Sequence, residues 1–167
     1  MQKLSGLFIA ATGALVGVLQ AATAPPSPLP VSATVQATCS ASAGSLSFGN
    51  YTPGAGARTG STTVNVKCTK NTGFTVALNI GATTGATFAQ RLMASGANTL
   101  QYNLYTTAGF ASVFGDGTLS TLTSGGTGAG VATLAPVSVF GQLPDSATNQ
   151  LAVPGSYSDI VTVTVTY

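Results

Sequence analysis

Histidine, tryptophan and glutamate are absent from this chain of 167 residues, and charge of either sign is scarce. Five Lys and Arg stand against three Asp, so charged residues make up 5%, where an ordinary soluble domain has about a quarter. Without an imidazole, the Ser-His-Asp triads and His-containing zinc sites have no base or ligand. The only carboxylate side chains are Asp116, Asp145 and Asp159, well separated along the chain and each in a turn-like or strand-edge context. So few cations exclude an electrostatic grip on nucleic acid. Hydrophobic residues at 44% are nevertheless ordinary for a chain with a packed core, and Gly, Ala, Ser and Thr fill the charge deficit. The composition points away from an enzyme and towards a structural or binding protein that needs no cofactor.

The chemistry-bearing motifs are missing as well. No G-x-S-x-G elbow and no S-x-x-K pair occurs, so nucleophilic serine chemistry has no motif. Gly54-Ala55-Gly56 and Gly126-Thr127-Gly128-Ala129-Gly130 lack the continuation into G-x-G-x-x-G or the P-loop Lys, and read as loops. Gly115-Asp116-Gly117 reads as a tight turn rather than half of a calcium loop. Asp145 follows Pro144 in another turn, and Asp159 precedes the last strand in a solvated or capping role. Asn50-Tyr51-Thr52 is formally a glycosylation sequon, followed by Pro53.

What is present begins with Met1-Gln2-Lys3, an apolar run from Leu4 to Leu19, and the small residues Ala21, Ala22 and Ala24. A charged start, a short apolar stretch and small residues at its end form a secretory signal peptide, expected over residues 1–22 with a cut near 21–24. The run is shorter than the roughly 20 residues of a membrane span, so a retained anchor is the lesser reading. Removal of Lys3 leaves four cations against three Asp, a nearly neutral exported chain. Export makes a disulfide the default for the only two cysteines, Cys39 and Cys68. Closing that loop stabilises the fold by roughly 3–4 kcal/mol. A metal pair, which lacks further ligands here, and two free thiols are the alternatives.

Past the proline-rich stretch Ala24-Pro25-Pro26-Ser27-Pro28, apolar residues take odd positions from Leu29 and Val31 through Ala33, Val35, Ala37, Cys39 and Ala41 to Ala43. Strict alternation is the pattern of a half-buried strand, and its length predicts one segment serving two sheets or two strand roles. Leu46 and Phe48 alternate next. Val64, Val66 and Cys68 share a face, as do Phe74, Val76, Leu78 and Ile80, then Leu100, Tyr102 and Leu104, then Val137, Val139 and Gly141. The chain ends in the β-branched run Ile160–Tyr167, with Val161, Val163 and Val165 facing one way. Residues 86–94 read as a strand at least as well as a helical turn, and Ser124-Gly125-Gly126-Thr127-Gly128 as a turn cluster. About seven short strands in some 140 residues predict a single all-β sandwich, with the two cysteines stapling neighbouring strands.

One family shares these pieces in order. Ala37-Thr38-Cys39-Ser40-Ala41-Ser42-Ala43-Gly44-Ser45-Leu46-Ser47-Phe48-Gly49-Asn50-Tyr51 resembles the opening of the spore coat protein U domain. Val64-Asn65-Val66-Lys67-Cys68, Phe74 to Asn79, Arg91-Leu92-Met93, Leu100 to Tyr105, Phe114-Gly115-Asp116-Gly117, Val139-Phe140-Gly141 and Gly155 to Tyr167 follow. The resemblance covers Leu29 to the C-terminus. It implies a pilin subunit of an archaic, Csu-type chaperone–usher pilus used in attachment and biofilm formation, exported through the periplasm to the cell surface. The implied fold is an incomplete immunoglobulin-like β-sandwich completed by a donor strand from another chain. The implied partners are a periplasmic chaperone, an outer-membrane usher and other pilin subunits, with no nucleic acid and no retained membrane span. Residues 23–36 are then the N-terminal extension and 37–167 the pilin domain. The expected donor residues are Leu29, Val31, Ala33 and Val35, and the expected groove or chaperone contacts are Val161, Val163, Val165 and Tyr167. Pro28 and Pro30 lack backbone donors, so pairing is expected to begin near Val31. The other readings are an exported adhesive or carbohydrate-binding module and a secreted coat protein.

Overall fold

The computed structural model describes residue 17 and residues 19–167. Most of the expected signal segment lies outside these residues. The chain divides into two units, Met1–Thr34 and Val35–Tyr167. The described part of the first holds no strand or helix and is exposed throughout. The second carries eight strands among the described residues: β1 Cys39–Ala43, β2 Arg58–Cys68, β3 Gly73–Leu78, β4 Arg91–Ser95, β5 Asn98–Tyr105, β6 Ser124–Thr127, β7 Ala135–Leu143 and β8 Val163–Thr166. One turn of 3-10 helix, Asn149–Leu151, follows β7. No described helix is long and apolar enough to cross a membrane.

The strands form a five-stranded sheet in the order β1-β2-β7-β5-β4 and a three-stranded sheet in the order β6-β3-β8, all pairs antiparallel. Alternation decides what each contributes inward, because successive side chains of a strand point to opposite faces. Val64, Val66 and Cys68 of β2, Leu100, Tyr102 and Leu104 of β5, and Val137, Val139 and Leu143 of β7 meet Phe74, Val76 and Leu78 of β3 in one buried core. Cys39 stands directly opposite Cys68 in the β1–β2 register and is disulfide-bonded to it. The bond ties β1, whose other four residues are exposed, to a fully buried strand end.

Four expectations are refined or corrected. The long alternation beginning at Leu29 forms a strand only from Cys39 onward, where β1 pairs with β2. Leu46 and Phe48 form no strand. They lie over Gly141 of β7, where an added Cβ would sit 2.9 Å from Leu46 Cδ2 and 3.0 Å from Phe48 Cε1. The alternation there serves packing on a bare stretch of sheet rather than ladder pairing. The cluster at Ser124–Thr127 is a strand, β6, pairing Phe74 with Gly126 and Thr75 with Gly125. Residues 86–94 divide, the strand starting at Arg91.

Gly125 explains why β6 is glycine-rich: a Cβ there would collide with the backbone carbonyl of Phe74. Gly125→Ala should therefore destabilise the domain by about 1–3 kcal/mol in chemical denaturation. Gly73→Ala, at a position where an added Cβ meets nothing within 4 Å, should be near neutral. Equal effects would mean that β6 does not lie against β3 as described.

Candidate functional site

Each sheet has an unpaired edge, β1 in one and β8 in the other, and between them the core is uncovered. A cavity of about 420 Å³ opens there. Its floor is the core itself: Val64, Leu78, Leu104 and Val139, each no more than 6% exposed, line it. Ala43 and Gly44 stand on the β1 side, and Val161 and Val163 on the β8 side. The inward residues of β8, Val163 and Val165, are only half-buried, although they pack on the core. They face inward but have a strand on one side only. On β1, Ala41 and Ala43 share the face of Cys39 and are exposed. Both edges thus carry an apolar face and a paired strand on one side only among the described residues.

A polar network fixes the start of β8, which four ladder positions against β3 would hold weakly. Asn79, just past β3, donates its backbone N–H to Thr162 O (3.1 Å) and accepts from Thr162 N through Oδ1 (2.8 Å). Asn79 O in turn accepts from Nε and Nη2 of Arg91 at 3.0 and 2.8 Å. Arg91 is fully buried, and it also donates to Asn103 Oδ1 (2.7 Å) and Phe114 O (2.7 Å). Burial pushes the guanidinium pKa down, against the opposing fields of Tyr102 and Asp159. A buried charge is tolerated only when its donors are matched, and four hydrogen bonds to neutral acceptors do so here. Asp159 accepts from the Tyr102 hydroxyl (2.6 Å) and from the amides of Ala82 (2.9 Å) and Thr83 (3.2 Å). The Tyr102 hydroxyl pKa is raised, by burial first and then by Asp159.

The other two carboxylates are likewise structural. Asp145 accepts from the Tyr51 hydroxyl (2.5 Å) and from the amides of Gly54 (3.0 Å) and Gly56 (2.9 Å). These bonds hold its pKa below the ordinary carboxylate value, Tyr51 first, while the Tyr51 hydroxyl is pushed up to about 12 by burial and by Asp145. Asp116 caps its own turn through the amide and hydroxyl of Thr118. The three aspartates do not converge, and among the described residues no group of three His, Cys, Asp or Glu could hold a metal ion.

Of the residues expected from sequence, Val161 and Val163 line the cavity. Val165 packs on the core beside them, and Tyr167 is exposed. Leu29, Val31 and Val35 are 85%, 88% and 86% exposed, and Ala33 is exposed with them. Sequence reasoning missed the Arg91–Asn79–Asn103 network. Its one signal was a cation at the head of an apolar segment in a chain with few charges.

The Spore Coat Protein U domain family model matches residues 26–164. The chain belongs to the Spore Coat Protein U domain family. This domain is also similar in fold to a chain in the crystal structure of the CsuC–CsuE chaperone–tip adhesion subunit pre-assembly complex, from archaic chaperone–usher Csu pili of Acinetobacter baumannii. The two share 22% identity with a TM-score of 0.57, over 80% of this chain and 41% of the other. The Spore Coat Protein U chain therefore spans about two-fifths of that protein. No curated protein matches it.

The two faces of β8 are separable by mutation. Val163→Asp places a charge against the cavity floor and should cost about 2 kcal/mol or more, lowering recovery of folded protein. Thr164→Asp, on the exposed face, should stay within about 0.5 kcal/mol. Equal yields and equal melting temperatures would mean the face assignment is wrong.

Proposed function

We propose that this domain is a structural subunit of a chaperone–usher pilus, and that the gap between β1 and β8 receives an extended strand from another chain. The observation that carries the reading is an open groove floored by the domain's own core. An extra strand gains backbone hydrogen bonds along an exposed edge while alternate side chains fill pockets. The same chain carries a matching donor: Leu29, Val31, Ala33 and Val35 alternate in a segment whose side chains are all exposed. Full burial of each large aliphatic side chain contributes roughly 1.5–3 kcal/mol. Pairing starts near Val31, since Pro28 and Pro30 offer no N–H.

In this reading a periplasmic chaperone supplies the strand first. An outer-membrane usher then replaces it with residues 23–36 of the next subunit, after a signal peptide over residues 1–22 has been removed and residues 37–167 have folded as the pilin domain. The product is a surface fibre for attachment and biofilm formation. Family membership and the fold likeness to a Csu pilus subunit support this assignment, and the chemistry of the site agrees with it. Its aspartates are engaged in turns and straps, and the role requires no catalytic step, no cofactor and no nucleic acid.

The test separates folding from polymerisation. Val31→Asp with Val35→Asp should abolish surface fibres while leaving the yield and melting temperature of the periplasmic subunit unchanged, because both positions are exposed in the free chain. Deletion of residues 28–35 should behave the same way. Normal fibres from the double variant would place the donor elsewhere. An unfolded subunit would assign the segment to the domain's own core.

A further inference from the structure

The five-stranded sheet has a second face, turned away from the core, and strand alternation decides which residues it shows. Along β2, β5 and β7 these are mostly Ser, Thr, Asn and Gln. Phe140 of β7 and Tyr105 of β5 break the pattern. They stand directly opposite one another in the ladder, so their side chains lie on one face. Their neighbours Val139 and Leu104 point into the core, which puts Phe140 and Tyr105 outside. Both rings are half-buried. Phe110 meets Tyr105 edge-on, with ring centroids 5.4 Å apart. Its backbone holds φ at 52°, a region that bulky residues seldom enter. No other described strand shows an aromatic ring on its outward face.

The polar groups around these rings are free to bind something else. Tyr51, Tyr102 and Tyr157 donate their hydroxyls to Asp145, Asp159 and Val153 O, whereas the Tyr105 hydroxyl has no hydrogen bond to another described residue. The same holds for the side chains of Gln142 and Ser138, which flank Phe140 on its own strand, and of Ser61, its ladder partner on β2. Charge is absent: among the outward residues of β2, β5 and β7 only Lys67 is ionised, six positions along β2 from Ser61 and so about 20 Å away. A charged ligand finds no counter-charge there. A purely apolar partner would leave hydroxyls and an amide covered and unpaired, which is costly. The ligand that suits both features is neutral and carries apolar faces rimmed by hydroxyls. A pyranose with equatorial hydroxyls has that form, its C–H bonds meeting the electron-rich ring faces and its hydroxyls the surrounding polar groups.

We propose that this outward face binds a neutral β-linked glucan, with Phe140, Tyr105 and Phe110 as the aromatic platform and Gln142, Ser61 and Ser138 as its hydrogen-bonding rim. Ser61, Phe140 and Tyr105 lie across three adjacent strands, a span of about 10 Å, which accepts a short oligosaccharide laid over the sheet. The site needs only the folded domain and does not depend on strand exchange. Repeated along a fibre, weak individual sites would combine into firm attachment through multivalency.

The test is affinity electrophoresis of the purified full chain through native gels containing hydroxyethyl cellulose, with dextran sulfate as the charged comparison. The unaltered chain should be retarded by hydroxyethyl cellulose, and added salt should leave that retardation unchanged, since no charge is involved. Tyr105→Phe removes only a hydroxyl without a protein partner, so it should keep the melting temperature and bind about three- to tenfold more weakly, the worth of one hydrogen bond. Phe140→Ala should weaken binding at least about tenfold, and Phe140→Tyr, which restores a ring, should recover it. No retardation of the unaltered chain by hydroxyethyl cellulose would overturn the proposal. So would retardation that Tyr105→Phe and Phe140→Ala leave intact, or retardation by dextran sulfate alone that salt abolishes. If Phe140→Ala instead breaks a self-associated form of the chain and glucan binding is absent, the face is an interface between copies and the proposal fails.

Discussion

A strand with an apolar face and a neighbour on only one side is the constraint on which this structure turns. β8 must face the core for Val163 and Val165 to be buried at all, yet its outer edge has no partner strand among the described residues. Exposed edges are ordinarily blunted by charge, proline or coverage. Here the edge runs Val163-Thr164-Val165-Thr166, with none of these devices. The domain tolerates the open edge because the start of β8 is held from behind, through Thr162 and Asn79 to the buried Arg91, and through Asp159 to Tyr102 and the 82–83 turn. A polar latch does at one end of the strand what a missing neighbour would do along its length.

The disulfide plays the matching part for the other edge. β1 buries almost nothing, and its ladder to β2 is five residues long. The bond from Cys39 to Cys68 anchors its first residue to a position with no exposure. One wall of the groove is thus covalently held and the other polar-latched, while the floor is ordinary aliphatic core. This division keeps an open groove from collapsing, since closing it requires moving an anchored element.

Much of this was legible in the sequence, for physical reasons that also explain the failures. β2, β3, β5 and β7 declare themselves because each buries one face, and burial imposes a period of two. The final run from Ile160 reads as a strand for the same reason, although pairing is confined to Val163–Thr166. β6 was invisible because its contacts are backbone against backbone, with Gly125 and Gly126 selected for what they lack. Leu46 and Phe48 carried the period of a strand while packing over Gly141 from an irregular segment. The alternation from Leu29 runs ten residues ahead of the first described strand, so the period alone did not mark where pairing begins. Arg91 and Asn103 form a network across 12 residues of sequence, and no local pattern records such a meeting.

Amide hydrogen exchange on β8 tests the central claim most directly. In the free domain, the Val163–Thr166 amides that point away from β3 have no acceptor and should exchange at nearly the rate of an unstructured chain. In assembled fibres the same amides should be strongly protected, together with those of residues 31–35, which are exposed in the free chain. Protection appearing at both segments on assembly is the predicted result. Fibres in which the outer edge of β8 still exchanges freely would contradict the account.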